Sequence, residues 1–189
     1  PRISLAQPKP VGVATEDDIL VLTLDEPVPQ DRLPEALNAH APAGLEFLRA
    51  EALPPGAAAP QVVSAEYELP LAPGEAGELR PRLNGLTERS EWVVHRKVKS
   101  KGKSRKRGPA WRDRPVDLRP LLRRLEVDED RLRMELVPRG DLWARPGEAL
   151  ELLGLAHRLA ETVRTRLRIE EHPARPSDAR VEQHNETTL

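Results

Sequence analysis

The chain has 189 residues, 38% of them hydrophobic, a formal net charge of −1 and no cysteine. The absence of cysteine excludes disulfides, thiolate metal sites and an iron–sulfur cluster ligated by the chain itself. No apolar run is long enough to span a bilayer and no signal-peptide pattern is present, so we expect a cytoplasmic protein with a modest aliphatic core.

The first part of the chain predicts four short elements. They are strands over 2–7 and 19–24, a helix over 30–41 and a strand over 45–53. This order matches the last four elements of a ferredoxin-like fold. We therefore expect residues 1–53 to be the C-terminal part of a first ferredoxin-like unit that lacks its initial strand and helix. A linker rich in proline and alanine follows over 54–61.

The remainder predicts a second unit over 62–172. Its expected elements are a strand around Tyr67, a helix over 78–89, a strand over 92–99, a short helix after Asp117, a strand over 132–136, a helix from Pro146 to Gly154 and a strand over 163–170. This is the pattern of a complete ferredoxin-like (split βαβ) unit with one insertion over 96–114. The fold class is thus α+β, with two ferredoxin-like units and a disordered tail over 173–189.

The insertion contains a strongly basic segment, because eight Lys/Arg lie between Arg96 and Arg107 in a nearly neutral chain. Such local charge is typical of a contact with RNA phosphates, although a solvated loop without function has the same composition. Trp111, beside Arg112 and Arg114, is a candidate for stacking a base while the arginines hold its backbone, or for anchoring the loop to the core. The predicted RNA-contacting residues are Arg96, Lys97, Lys99, Lys101, Lys103, Arg105, Lys106, Arg107, Trp111, Arg112 and Arg114.

Arginines also recur on two predicted strands, and these form a second candidate surface. They are Arg131, Arg133, Arg164, Arg166 and Arg168. In the ferredoxin order the strand carrying Glu66 and Glu68 lies between them, so we expect cross-strand ion pairs to neutralise much of this face. The face also lacks the paired aromatics by which RRM-type sheets stack bases.

No catalytic residue or metal ligand is predicted, and no cofactor is expected. The five histidines are scattered without metal-ligand spacing, and no nucleophile elbow or phosphate-binding glycine loop is present. Asp117 with Arg119 is a candidate for holding a partner, but helix capping with a local ion pair explains both residues without function.

Several short motifs together resemble the radical-SAM-linked proteins, a bacterial domain of unknown function that is fused to, or encoded beside, radical SAM enzymes. The residues that carry this resemblance are Arg2, Pro10, Gly12, Asp117, Arg119, Pro120, Arg145, Pro146, Gly154 and Arg164. The resemblance implies a radical SAM enzyme as partner and a connection with RNA modification or maturation. It assigns no catalytic residue.

The expected function is therefore a non-catalytic accessory domain that handles RNA or a protein substrate for a radical SAM enzyme. One alternative is a protein–protein adaptor whose first-unit sheet docks the enzyme while the basic loop is inert. Another is a RAMP-like RNA-processing enzyme that uses His95 or a nearby lysine as general base.

Overall fold

The computed structural model describes residues 2–54, 56–99 and 111–170, and within these ranges the protein is an α+β fold. Its strands are β1 (Arg2–Leu5), β2 (Ala14–Thr15), β3 (Leu20–Thr23), β4 (Val62–Pro70), β5 (Val93–Lys99), β6 (Trp111–Asp117), β7 (Leu122–Val127), β8 (Arg131–Leu136) and β9 (Val163–Ile169). Its helices are α1 (Leu33–Asn38), α2 (Glu75–Thr87) and α3 (Pro146–Leu152), with 3₁₀ helices at Arg119–Leu121 and Ala156–Glu161. The predicted tail over 173–189 lies outside the described residues.

A five-stranded sheet organises the fold, in the order β2-β9-β4-β8-β7. β4 is antiparallel to both of its neighbours, β8 and β9, whereas the short β2 adds to the edge of β9 in parallel. Two further pairs of strands lie outside this sheet, β1 with β3 and β5 with β6. The strand predicted over 92–99 as part of the second unit's sheet forms as β5, but it lies outside the five-stranded sheet and pairs with β6. The β5–β6 pair lies in the chain between α2 and β7 and includes the range of the predicted insertion, 96–114.

The apolar face of the sheet forms the core. Tyr67 is 3% exposed, Leu69 0% and Leu71 9%, which confirms the inward face predicted from their alternation with polar residues. Leu79 of α2 and Leu150 of α3 belong to the same cluster of buried side chains. Both helices therefore cover one face of the sheet and leave the other face to charged side chains.

Helix α2 begins three residues earlier than the predicted start at residue 78. Gly74, at φ +86°, turns the chain into the helix, and a carboxylate oxygen of Glu75 accepts a hydrogen bond from the backbone N–H of Ala72 at 2.9 Å. Pro81, expected in the first turn, lies inside the helix, where it cannot donate to the preceding turn.

The strand predicted over 45–53 is wrong, because no regular element forms there. The side chain of Asn38, at the end of α1, binds both the N–H and the C=O of Phe47, at 2.8 and 2.9 Å. The backbone of this segment is thus satisfied locally, while Leu45 and Leu48 stay 51% and 74% exposed. An apolar run alone does not make a strand without a neighbouring strand to pair with.

The helix predicted after Asp117 is also wrong. Only one 3₁₀ turn forms, Arg119–Leu121, and β7 follows it at once. Leu118 and Leu121 are 0% exposed and Leu122 is 9% exposed, so the helical spacing of leucines reflects a tight buried turn that leads into a strand. Within the described ranges, no helix is long and apolar enough to cross a membrane.

Candidate nucleic-acid interface

The β5–β6 hairpin carries those predicted RNA-contacting residues that the structure describes. Its register pairs Val93 with Asp117 at the base and Lys99 with Trp111 at the far end. Cross-strand partners share a face, so the hairpin has two faces. The outer face is exposed and consists of His95, Lys97, Lys99, Trp111, Asp113 and Pro115; the inner face consists of Val94, Arg96, Val98, Arg112, Arg114 and Val116.

The base of the hairpin is fixed to α2 and to the 3₁₀ turn. Trp92 is 7% exposed, and its indole N–H donates to the carbonyl of Leu86 at 2.9 Å. A carboxylate oxygen of Asp117 accepts from the backbone N–H groups of Trp92 and Arg119, at 2.8 and 3.0 Å. The guanidinium of Arg119 donates to the carbonyl oxygens of Arg89 and Ser90, both at 3.0 Å. Asp117 and Arg119 therefore have structural contacts here, through backbone hydrogen bonds and not through the helix cap and local ion pair expected from the sequence.

Arg96 is engaged within the protein. Its Nε and one terminal nitrogen each lie 2.6 Å from a carboxylate oxygen of Glu148, and the same terminal nitrogen lies 2.6 Å from the carbonyl oxygen of Trp143. The side chains of Arg96 and Glu148 are only 12% and 11% exposed. A guanidinium held in this way does not offer its charge to a ligand, so we leave Arg96 out of the candidate interface.

Four other predicted cations of the hairpin are exposed. Lys97 and Lys99 lie on the outer face, and Arg112 and Arg114 lie on the inner face beyond its buried valines. The remaining predicted cations, Lys101, Lys103, Arg105, Lys106 and Arg107, lie outside the described residues, and their role stays a prediction. The hairpin thus presents positive charge on both faces.

Trp111 does not have the anchoring role expected from the sequence, and the arginines expected to assist stacking are not its neighbours. It is 57% exposed, so it does not anchor the loop to the core. It also points to the face opposite Arg112 and Arg114, so these arginines cannot hold the backbone of a base stacked on its ring. Its cationic neighbour is Lys99, whose Nζ lies 5.6 Å from the ring centroid.

The charged face of the five-stranded sheet carries a network of ion pairs. Glu68 bridges Arg131 at 2.7 Å and Arg133 at 3.2 Å, and Glu66 pairs with Arg168 at 2.8 Å. β4 does lie between β8 and β9, as expected, so the predicted neutralisation is confirmed. This face is a weaker candidate for RNA than the hairpin.

Arg164 is not on that face, and its predicted exposure is wrong. The register between β4 and β9 shifts where Glu66 pairs with Arg166 and Tyr67 pairs with Arg164, which leaves Thr165 as an extra residue in a β-bulge. The bulge turns Arg164 inward, where it is 0% exposed. The alternation of residues in the sequence does not reveal such a bulge, so the inward position of Arg164 could not be predicted from it.

Buried Arg164 ties the segment before β3 to the sheet. Its guanidinium forms an ion pair with Asp18 and donates to the carbonyl oxygen of Gln7 at 2.9 Å. Burial raises the pKa of the Asp18 carboxyl above its ordinary value, although Arg164 and Lys9 act in the opposite direction. Burial likewise raises the pKa of Tyr67, whose hydroxyl lies beside Arg164. Arg164 is fully buried and Asp18 is 22% exposed, and their contacts join two segments of the chain, which indicates a structural role.

The other motif residues lie at turns and element ends. Arg2 begins β1, and Gly12 has φ +90° in the turn where the N–H of Val13 donates to the carbonyl of Pro10 at 3.3 Å. Pro120 lies in the 3₁₀ turn Arg119–Leu121. Arg145 and Pro146 begin α3, and Gly154 has φ +76° after it. These positions shape the backbone at turns and at the ends of elements.

Within the described residues no group of three or more His, Cys, Asp and Glu side chains is placed to hold a metal ion. The described elements define an α+β protein with one dominant mixed sheet and an inserted cationic hairpin. The chain belongs to the DUF2344 family, described as an uncharacterized protein conserved in bacteria, whose model matches residues 1–146 and so includes the whole hairpin. No curated protein and no solved structure matches the chain.

Proposed function

We propose that this chain is a non-catalytic accessory protein that binds RNA through the β5–β6 hairpin on behalf of a radical SAM enzyme. The observation that carries the RNA part is the placement of Lys97, Lys99, Arg112 and Arg114. All four are exposed on a hairpin of a chain whose formal net charge is only −1. Among the described residues, none of the four forms an ion pair, in contrast to most arginines of the sheet face.

The chemistry of this surface suits phosphate. Lysine and arginine side chains that lack carboxylate partners neutralise phosphates at little desolvation cost, and each phosphate contact releases counterions. The fixed base of the hairpin, held by Trp92 and Asp117, keeps the two faces in a defined orientation. RNA binding here would therefore be strong at low salt and would weaken steeply as salt is added.

The radical SAM part rests on the resemblance of the motifs and on membership of a bacterial family. The order of strands and helices predicted from the sequence is that of a ferredoxin-like unit, and we assign one to residues 62–169. The order β9-β4-β8-β7, with α2 and α3 on one face, supports that assignment. Because the chain has no cysteine, the enzyme would supply the cluster and this protein would present the substrate.

The test is fluorescence anisotropy of labelled bulk RNA with the full chain, at two salt concentrations. A hairpin variant replaces Lys97, Lys99, Arg112 and Arg114 by glutamine. A control variant replaces four exposed arginines elsewhere, Arg2, Arg32, Arg80 and Arg166, and so removes the same charge. We expect the hairpin variant to lose most of the affinity and the control to keep most of it. Equal losses in both variants would contradict a site on the hairpin.

A second candidate function, the protein–protein adaptor, is favoured by the first segment. Both residues Ile3 and Leu5 of β1 are exposed, at 71% and 45%, and Leu48 is 74% exposed. Exposed apolar side chains on a small two-stranded sheet are typical of a protein contact. In that case co-purification with a co-expressed radical SAM enzyme from the same genome would be lost in an Ile3→Asp, Leu48→Asp variant. The hairpin variant would still form the complex.

A further inference from the structure

We infer that the outer face of the hairpin selects single-stranded RNA, with an unpaired base stacked on Trp111; this inference rests on the proposed function. Trp111 is exceptional among the tryptophans of the chain. Trp92 is 7% exposed with its indole N–H bonded, and Trp143 packs against the core cluster. Trp111 is 57% exposed, and no core packing accounts for its size at this position.

The surroundings of the Trp111 ring suit a stacked base whose phosphates contact neighbouring lysines. Lys99 lies directly across the ladder from Trp111, with its Nζ over one face of the ring at 5.6 Å from the centroid, so an incoming base stacks on the opposite face. Lys97 and His95 follow on the same face of β5, at a spacing of about 7 Å for every second residue of a strand. A base on the ring therefore has two lysines alongside to meet its phosphates.

One acidic residue restricts where the strand of RNA lies. Asp113 pairs with Lys97 across the ladder and is exposed on the same outer face. Its carboxylate repels phosphate, and it stands on β6 between Trp111 and Pro115. The phosphates therefore run along β5, and the base reaches across to Trp111.

Duplex RNA fits this arrangement less well than single-stranded RNA does. In a duplex both faces of each base are already stacked, so an exposed indole finds a free base only in a single strand, loop or end. A duplex would contact the hairpin through phosphates alone, and its affinity would be insensitive to the ring. Dependence on Trp111 thus separates the two kinds of RNA.

The experiment measures binding of the full chain to two probes, a single-stranded RNA and a duplex of the same length, by fluorescence anisotropy. Trp111→Ala is compared with Trp111→Phe, which keeps an aromatic face, and with Lys97→Gln. We expect Trp111→Ala to weaken single-strand binding by about 5- to 150-fold, and to leave duplex binding unchanged. Trp111→Phe keeps most of the affinity. Lys97→Gln weakens both probes and lowers the salt dependence.

Tryptophan fluorescence distinguishes stacking from a merely structural role of Trp111, because only stacking changes the emission when RNA binds. Binding of the single strand quenches the emission of the wild-type chain, and Trp111→Phe loses this quenching while still binding. Because Trp111 is largely exposed, we expect its variants to melt within a few degrees of the wild type, which checks that they are folded.

The outcomes distinguish the two proposals. Wild-type binding to single strands that Trp111→Ala leaves intact, or equal losses for single strands and duplexes, overturns the stacking inference while RNA binding by the hairpin stands. If neither probe binds at low salt, the proposed function and the inference fail together, and a protein contact becomes the role of the exposed ring.

Discussion

The guanidinium of Arg96 donates hydrogen bonds to both carboxylate oxygens of Glu148, each at 2.6 Å. These bonds join β5 to α3, although the two residues are 52 positions apart in the sequence. The backbone N–H of Arg145 also donates to that carboxylate, at 2.9 Å. A residue that the sequence places in a basic RNA-binding run thus connects the hairpin to α3.

Loss of this link should destabilise the fold. Arg96→Ala leaves the buried carboxylate of Glu148 with only the longer ion pair to Arg145, at 3.9 Å, and we expect about 3 kcal/mol less free energy of unfolding, measured by urea denaturation. Lys97→Ala, on the neighbouring exposed position, should change it by no more than about 0.5 kcal/mol. A double variant, Arg96→Met with Glu148→Leu, should recover much of the loss. Similar mild effects of Arg96→Ala and Lys97→Ala would show that the pair contributes little.

Arg164 and Arg166 should respond very differently to the same substitution, although they stand two positions apart on one strand. Arg164→Met removes the partner of Asp18 and a donor to Gln7 from a buried position, and we expect a loss of about 3 kcal/mol or more. Arg166 is exposed, and Arg166→Met should fall within about 0.5 kcal/mol of the wild type. Strict alternation along the strand predicts equal effects, so chemical denaturation of the two variants tests the bulge directly.

Glu75 should make the fold sensitive to acid. The hydrogen bond from the N–H of Ala72, together with Arg158 at 2.6 Å, lowers the pKa of this carboxyl below its ordinary value. A carboxyl whose pKa is lower in the folded chain stabilises the fold above its unfolded pKa, and this stabilisation is lost as the pH falls through the folded pKa. Glu75→Gln should therefore be less stable than the wild type near neutral pH, and the difference should shrink in acid.

The control for that titration is Glu78→Gln, an exposed position in the first turn of the same helix. Free energies of unfolding from urea curves at a series of pH values give the comparison. A constant difference between Glu75→Gln and the wild type across the series would mean that the Glu75 carboxyl does not contribute to the acid sensitivity.

His95 tests the RNA-processing alternative. It is exposed on the outer face, and no hydrogen bond to another described residue orients its ring as a general base requires. We expect the purified chain and His95→Ala to leave a labelled RNA equally intact over prolonged incubation. Cleavage by the wild type that His95→Ala abolishes would contradict this expectation and make the protein an enzyme.

The structure was predicted most accurately from the sequence where a side-chain pattern repeats along one strand. Alternation around Tyr67 located β4 and its inward face, and the pairing of Glu66 and Glu68 with arginines on both neighbouring strands followed from the expected strand order. These features depend on side-chain period and charge, which are visible in one stretch of chain.

Features that depend on distant partners were missed. β6 reads as a run of charges with Pro115, so nothing local marks it as a strand until β5 pairs with it. The segment over 45–53 has the composition of a strand but binds Asn38 through Phe47. Within the candidate interface, the same ladder decided that Trp111 shares a face with Lys99 and that Arg96 turns inward.

Because Thr165 is an extra residue in β9, the number of residues in this strand determines which side chains face the core. A homologue that lacks the residue equivalent to Thr165 would regain regular pairing, with its arginine and its leucine still facing inward. A sequence alignment that places the gap one position to either side would then equate Thr165 with one of its two flanking arginines. Comparisons between relatives in this stretch should be anchored on the inward pair, Arg164 and Leu167, and counted outward from it.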